Sequence, residues 1–180
     1  KKLNNVEKQQ VIKILKEINN GENIEYQKLI NDIWEEVPVD LDTFIDDDRY
    51  MRTYFYPDGK SCIVYPRWRK ELKTIFKDPY KYSEICFTGG IGLGKSEAAK
   101  LGLAYLSYRL LCLKNPQSFY NKHIGKPIVI LFFNNTKDLA EKVLLQPFVD
   151  MLITSPWFLE RGKIVGRDHI RYIPNKNIRF

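Results

Sequence analysis

Apolar residues recur at helical spacing near the start of the chain, in two segments that Asn19-Asn20-Gly21 separates. A spacing of three and four residues places such side chains on one face of a helix. The pattern therefore predicts two amphipathic helices, the second of which ends before Pro38. The apolar positions are Val6, Val11, Ile14, Leu15 and Ile18 in the first helix, and Tyr26, Leu29, Ile30, Ile33 and Trp34 in the second.

The pattern changes to shorter segments between residues 46 and 76. Asp46-Asp47-Asp48 predicts a solvated turn, not a metal site, because successive side chains point in different directions. Alternating apolar residues on both sides of Pro57-Asp58-Gly59-Lys60 predict a β-hairpin over Thr53–Pro66. Residues Trp68–Phe76 are predicted to form a helix.

Longer elements follow in the second half of the chain, where strands and helices are predicted to alternate. The helix predicted from Lys95 to Lys114 is apolar nearly all round, and a helix of this kind must be buried. The order strand–helix–strand–helix predicts an α/β fold, with a largely parallel sheet flanked by helices. The predicted elements are a strand at Ile85–Phe87, a helix from Lys95 to Lys114 ended by Asn115-Pro116, a strand at Ile128–Phe133, a helix capped by Thr136, and a hairpin around Pro174–Asn177.

Charge divides the chain into an acidic and a basic part. Residues 1–50 carry 7 Lys and Arg against 12 Asp and Glu, whereas the remainder carries 22 against 10. We therefore predict an acidic helical segment over residues 1–48 and an α/β domain over residues 49–180. The basic surplus favours a polyanionic partner, either nucleotide or nucleic acid, although a solvated lysine-rich surface accounts for it equally well.

Composition excludes several other classes. Cys62, Cys86 and Cys112 lack metal-ligand spacing and indicate buried thiols in a reducing cytoplasm. With only two histidines in the chain, a histidine metal site is not expected. The longest apolar run, Leu101–Leu113, is too short to span a bilayer and contains an arginine, so no membrane association is expected.

The candidate chemistry lies in a glycine-rich loop between the first predicted strand and the long apolar helix. Its pattern is Gly-x-x-x-x-Gly-Lys-Ser, the signature of a phosphate-binding loop in strand–loop–helix context. Glycines let backbone N–H groups approach phosphate oxygens, and the helix directs its positive dipole end at the anion. Lys95 is predicted to contact the β- and γ-phosphates of ATP, and the Ser96 hydroxyl to coordinate Mg²⁺. The predicted nucleotide-binding residues are Gly89, Gly90, Ile91, Gly92, Leu93, Gly94, Lys95, Ser96 and Glu97.

The acidic partner of this loop is harder to find. A P-loop ATPase needs an aspartate at the end of an apolar strand to hold Mg²⁺, usually beside a glutamate that orients water. The strand Ile128–Phe133 ends in Asn134-Asn135, whose amides carry no charge. Asp150 follows a helical pattern with Pro147, and robust hydrolysis by this chain would require it or Asp138 to reach the metal. We expect the acidic pair after Phe180, and weak ATPase activity from these 180 residues.

Three blocks of sequence resemble the large terminase subunits of tailed bacteriophages, the ATPases that drive DNA into procapsids. The likeness covers roughly Pro38 to Phe180. It rests on YPRWRKELKTIF, on the stretch from YSEICFTGGIGLGKSE to YRLLCLKNPQSFY, and on IVILFFNNTKDLAEKVLLQPFVDMLITSPWF with the run from there to Ile178-Arg179-Phe180. Two departures are visible: Ile91 and Leu93 stand where many terminases have an arginine in the loop, and the upstream stretch VYPRWRKEL offers no glutamine to contact adenine.

The resemblance implies an ATP- and Mg²⁺-dependent motor that translocates double-stranded DNA. Its implied partners are the DNA, a portal protein, a small terminase subunit and further copies of itself in a ring. Its implied location is the cytoplasm of the infected bacterial host, not the mature virion, and a nuclease domain is expected downstream. The alternative is a nucleotide-gated binding or assembly module without hydrolysis of its own; a small-molecule kinase is a third interpretation.

Two further groups of residues are candidates for nucleotide contacts. Tyr65, Arg67 and Trp68 lie upstream of the loop and could hold the base, because aromatic faces and guanidinium planes stack on adenine. Packing of Trp68 in the core is the equally supported alternative. A transition-state arginine is also required, and the candidates are Arg49, Arg52, Arg161 and Arg167.

Overall fold

A computed structural model describes residues 30–78, 81–161, 164–166 and 171–180. The first predicted helix lies outside the described residues. The described end of the second is helical over residues 30–33, and Trp34 then forms an isolated antiparallel bridge with Leu113. The predicted division at residues 48 and 49 stays a prediction.

Two short helices follow, one that ends at the predicted turn Asp46-Asp47-Asp48 and one within the predicted hairpin. Helix α1 (Leu41–Asp46) begins at Asp40, whose carboxylate accepts hydrogen bonds from the N–H groups of Asp42 and Thr43 at 2.8 and 3.1 Å. Helix α2 spans Arg52–Phe55. The hairpin prediction is therefore wrong in both strands: Phe55 is a fully buried helical residue, and residues 61–65 form no strand. The turn itself is confirmed: Gly59 donates to the carbonyl of Tyr56 at 2.8 Å.

Helix α3 (Pro66–Lys77) confirms the helix predicted there. It is bound to α1 by ion pairs. Its Arg69 binds Asp42, at 2.6 Å from Nε to Oδ1, and also Asp46. The hydrogen bonds from Arg69 outweigh burial and hold the pKa of Asp46 below its usual range. Asp46 is thus a structural ion-pair partner instead of a solvated turn residue, which corrects its prediction; Asp48, by contrast, is exposed.

Helix α4 (Lys95–Cys112) forms the centre of the core, as its apolar sequence predicts. No residue from Glu97 to Cys112 is exposed. Its buried aromatic side chains pack on neighbouring helices: Tyr105 lies 4.8 Å from Phe76 and 5.2 Å from Phe44, measured between ring centroids. Tyr108 accepts a hydrogen bond from the N–H of Val39 at 2.9 Å. Burial of this helix therefore organises the elements around it.

The remaining elements form a helical layer and a small sheet. Thr136 caps its helix as predicted, accepting the N–H of Leu139 at 3.2 Å. A π-helical segment occupies the middle of this helix, which ends at Leu152. The elements are α5 (Pro116–Phe119), β1 (Ile128–Val129), α6 (Lys137–Leu139), the π-helical segment (Ala140–Leu145), α7 (Gln146–Leu152), α8 (Pro156–Arg161), β2 (Tyr172–Ile173), a 3-10 turn (Pro174–Lys176) and β3 (Ile178–Arg179).

The sheet has the order β1-β3-β2 and is mixed. β1 pairs parallel with β3, with Ile128 opposite Ile178, and β3 pairs antiparallel with β2. The hairpin around Pro174–Asn177 is thereby confirmed. The strand predicted over Ile128–Phe133 is shorter, since ladder bonding ends where Ile130 donates to the carbonyl of Arg179 at 2.8 Å.

The strand predicted at Ile85–Phe87 is irregular in the structure and pairs with no described strand. Its apolar residues are not fully buried: Ile85 is half exposed, and Phe87 packs on Trp68 with 5.4 Å between ring centroids. An apolar run predicts burial, but a strand also requires a neighbour that completes its hydrogen bonds. The prediction of a regular strand at Ile85–Phe87 is therefore wrong.

The cysteines also depart from expectation. Only Cys112 is buried, whereas Cys62 is half-buried and Cys86 is exposed. Burial raises the pKa of the Cys112 thiol to about 12, which leaves it protonated and unreactive. Among the described helices, none combines the length and the apolar character that a membrane span requires.

Candidate nucleotide-phosphate site

The glycine-rich loop runs into the first turn of α4, in a backbone conformation that only glycine adopts easily. Gly89, Gly92 and Gly94 have φ angles of 136°, 84° and 69°. A side chain at Gly94 would also meet Tyr65, whose Cδ2 atom lies 2.8 Å from the position of an added Cβ. The glycines thus let the chain fold back tightly before the helix starts.

Lys95 points back across its own loop. Its Nζ donates to the carbonyl oxygen of Gly89 at 3.0 Å and to that of Gly90. Ser96, the next residue, is exposed in the first turn of the helix. An ammonium group and a hydroxyl group therefore stand together at the positive end of an 18-residue helix.

The loop also presents unused hydrogen-bond donors. Within the described part of the chain, the N–H groups of residues 89–94 donate to no protein acceptor. Backbone donors that converge at a helix N-terminus beside a cation are the arrangement that binds phosphate groups. The geometry of residues 89–96 accordingly fits an anion with several oxygen atoms.

The upstream aromatic residues contact the loop itself. The indole Nε1 of Trp68 donates to the carbonyl of Leu93 at 2.5 Å, and the hydroxyl of Tyr65 donates to the carbonyl of Gly92 at 3.3 Å. Arg67, the third candidate for holding the base, is exposed. Both aromatic groups proposed for the base are therefore engaged with loop backbone.

Glu97 belongs to a small polar cluster that the sequence analysis missed. Lys100 Nζ lies 2.6 Å from a carboxylate oxygen of Glu97 and 2.7 Å from the hydroxyl of Tyr54, which also donates to Glu97 at 3.3 Å. Burial opposes the charged form of Lys100, but these hydrogen bonds raise its pKa overall. The spacing of Glu97 and Lys100 was a readable signal; nothing in the sequence marked Tyr54.

The candidate arginines are bound to acidic or backbone groups elsewhere. Arg49 lies 3.9 Å from Glu36, and Arg161 pairs with Glu35 and Glu36. Arg52 donates to the carbonyl of Asp46 at 2.9 Å. Arg167 lies outside the described residues. None of the three described arginines is held at the loop, so the catalytic arginine stays unassigned.

The expected acidic partner does not emerge from the described residues, which contain no cluster of three or more histidine, cysteine or acidic side chains suited to a metal. Asn134 and Asn135 follow the strand region, and the Asn134 side chain accepts the N–H of Asn135 at 2.7 Å. Asp150 lies on α7, where it accepts from Gln146 at 2.6 Å. Its placement on a helix agrees with the interpretation of that stretch from sequence.

The comparisons with known proteins establish the class. A family model described as "Uncharacterized protein MJ0330, N-terminal P-loop domain" matches residues 7–178. The chain belongs to this P-loop family. Its fold is accordingly an α/β P-loop fold, consistent with the parallel pairing of β1 and β3. No curated protein and no solved structure matches the chain.

Membership of a P-loop family implies nucleotide binding, usually together with Mg²⁺. The residues of the loop fit a magnesium-bound nucleotide, because the positive φ angles of Gly89, Gly92 and Gly94 leave the loop backbone open to phosphate. Ser96 carries the hydroxyl that would bind the metal, and Lys95 the ammonium that would contact the phosphates. Bound Mg²⁺ would supply charge neutralisation between the β- and γ-phosphates.

Proposed function

We propose that the domain binds a magnesium–nucleoside triphosphate at residues 89–96 and serves as the ATPase module of a DNA-packaging motor of the terminase type. The observation that carries the nucleotide part is the loop, with its unused N–H groups and Lys95 at the start of a buried helix. Support for the motor part comes from the sequence resemblance and from the basic surplus of residues 51–180.

Each part of the site would have one role in phosphoryl transfer. The loop N–H groups and Lys95 would hold the phosphates and stabilise charge on the transferred group, and Ser96 would help to fix the metal. Helix α4 would carry these groups as one rigid unit, because its body is buried among other helices. In phosphoryl transfer, positioning and charge stabilisation account for nearly all of the catalysis.

Hydrolysis separates this proposal from its alternative. We expect the 180-residue chain to release phosphate from ATP slowly, near the rate of its Lys95→Ala variant, because Asn134 and Asn135, which follow the predicted strand Ile128–Phe133, are amides without charge. Phosphate release should be measured with and without double-stranded DNA, in a chain extended downstream and in the 180 residues. The expectation that the acidic pair follows Phe180 stays a prediction.

The two functions differ in the extended chain. A motor should show hydrolysis that depends on Lys95 and rises when DNA is added. Tight nucleotide binding without such hydrolysis would replace the motor with the binding or assembly module. Robust Lys95-dependent hydrolysis by the 180 residues alone would contradict the assignment of Asn134 and Asn135 as a non-catalytic strand end.

A second prediction concerns DNA and the exposed basic residues of α3. Arg67, Lys70 and Lys77 are exposed on this helix and fall on one face, whereas Arg69 and Lys73 are bound to acidic groups of α1. A translocating motor must contact backbone phosphates without reading sequence. We therefore place DNA contacts on this exposed stripe of α3.

The test replaces Lys70 and Lys77 with Glu and measures affinity for random-sequence duplex at several salt concentrations. Loss of two phosphate contacts should weaken binding at low salt and reduce the slope of log affinity against log salt by about 2. The matched control, Lys122→Glu with Lys126→Glu, makes the same charge change at exposed positions elsewhere. Equal loss in both variants would reject the stripe, and salt-insensitive or site-specific binding would reject the motor.

A further inference from the structure

Two aromatic side chains outside the glycine-rich loop donate hydrogen bonds to the carbonyl groups of consecutive loop residues. Trp68, in the first turn of α3, donates from its indole nitrogen to Leu93, and Tyr65, which precedes that helix, donates to Gly92. The ring of Tyr65 also lies directly against Gly94. Phe87, at the entry to the loop, packs on the Trp68 ring.

The direction of these hydrogen bonds determines where the opposite sides of the peptide groups point. In a planar trans peptide the C=O and N–H groups point in opposite directions. The peptide that contains the Gly92 carbonyl also contains the N–H of Leu93, and the peptide of the Leu93 carbonyl contains the N–H of Gly94. Holding both carbonyls on the aromatic side turns these two N–H groups away from it.

Both N–H groups lack a protein acceptor among the described residues, and they immediately precede Lys95 and Ser96. Glycine-rich backbone around them has little intrinsic stiffness, because Gly92 and Gly94 tolerate many conformations. An external support is needed if their donors are to be fixed before an anion arrives. Preorganised donors bind an anion more tightly because binding then loses less conformational entropy in ordering the loop.

We propose that Trp68 and Tyr65 are positioning residues that preorganise the phosphate loop, and that they do not hold the base. Trp68 acts by fixing the peptide between Leu93 and Gly94, and Tyr65 by fixing the preceding peptide. This inference rests on the proposed nucleotide binding. It assigns the aromatic pair to the phosphate half of the ligand and leaves base recognition to other residues.

The two roles predict different ligand dependence. A base contact would strengthen ATP binding and leave inorganic tripolyphosphate unaffected, since that ion has no base. A loop support would affect both ligands by the same factor. Trp68→Phe keeps an aromatic ring but removes the indole N–H, so it tests the hydrogen bond without emptying the space.

We expect Trp68→Phe to weaken ATP and tripolyphosphate binding equally, by about three- to tenfold, as for loss of one hydrogen bond. Tyr65→Phe removes only a hydroxyl from a half-exposed side chain and should weaken both ligands by a smaller, again equal, factor. Calorimetric titration of each variant in the presence of Mg²⁺ measures these factors. Tyr65→Phe also keeps the test valid if Trp68→Phe folds poorly.

A spectroscopic readout distinguishes loop support from a general structural role. The chain has three tryptophans, so 5-fluorotryptophan labelling gives three fluorine resonances, and the one missing in Trp68→Phe identifies Trp68. That resonance should shift when tripolyphosphate binds. Weakened ATP binding with unchanged tripolyphosphate binding, or unchanged binding of both, would overturn the inference. Failure of the unaltered chain to bind either ligand would overturn the proposed function instead.

Discussion

Lys95→Ala should weaken binding of magnesium–ATP by about 100-fold, because it removes the ammonium charge from the phosphate site. In the structure this ammonium group is held over the loop by the carbonyls of Gly89 and Gly90. Its position, beside unused N–H groups, makes it the principal positive charge available to the phosphates. Calorimetric titration at fixed Mg²⁺ concentration measures the loss.

Two variants serve as controls for this loss. Lys122→Ala removes an exposed lysine outside the loop and should leave ATP affinity unchanged. Lys95→Arg keeps the charge but replaces a compact ammonium with a planar group that the tight loop cannot place in the same position. It should therefore bind ATP poorly as well. Unchanged ATP affinity in Lys95→Ala, in a variant whose thermal unfolding matches the original, would remove residues 89–96 as the nucleotide site.

The helices that carry the core could be predicted because their signal is continuous. The apolar sequence behind Lys95 predicted a long buried helix, and the structure contains it as α4. Thr136 predicted a helix start through one specific side-chain acceptor, and that hydrogen bond forms. In both places the local preference and the tertiary environment agree, which is the condition under which sequence patterns are reliable.

The short β-elements were predicted less well, for a physical reason. A strand depends on hydrogen bonds with residues far away in sequence, which periodicity does not specify. Phe55 was assigned to a hairpin because apolar and polar residues alternate around it. In the structure it belongs to one turn of helix and is fully buried. The short apolar run that contains Ile85 predicts a strand, but Ile85 has no strand partner among the described residues.

The candidate site likewise contains one part that the sequence predicts and another that it does not. The phosphate loop could be predicted because its chemistry lies within one continuous stretch, residues 89–96. The contact of Trp68 with the loop could not be predicted, since the sequence does not show that its indole N–H faces the Leu93 carbonyl. Tyr54 gave no signal at all, because it reaches Glu97 only through the packing of α2 beside α4.

The largest expected effect on stability comes from Phe44, which joins α1 to the central helix. Its ring is fully buried and lies 4.9 Å from that of Tyr108 and 5.2 Å from that of Tyr105, between centroids. It also meets Phe158 of α8 edge-on at 6.4 Å. Removing a ring shared by three helices leaves a cavity that surrounding aromatic groups cannot easily fill.

Phe44→Ala should lower the free energy of unfolding by about 3–5 kcal/mol, the range for truncating a fully buried phenylalanine. Phe133→Ala is the matched control, since Phe133 is 79% exposed and its truncation should change stability by no more than about 0.5 kcal/mol. Urea denaturation of both variants measures the difference. Equal losses would contradict the arrangement of α1, α4 and α8 around Phe44.

Such a loss is a large share of the roughly 5–15 kcal/mol that stabilises a typical domain, so part of the Phe44→Ala population should be unfolded at 37 °C. A ligand that binds only the folded state recovers stability in proportion to the logarithm of its concentration over its dissociation constant. Magnesium–ATP should therefore raise the urea midpoint of Phe44→Ala. The same ATP concentration should raise the midpoint of the Phe44→Ala, Lys95→Ala double variant much less, because its affinity for ATP is about 100-fold lower, and this difference would place the stabilising ligand at the loop that precedes α4.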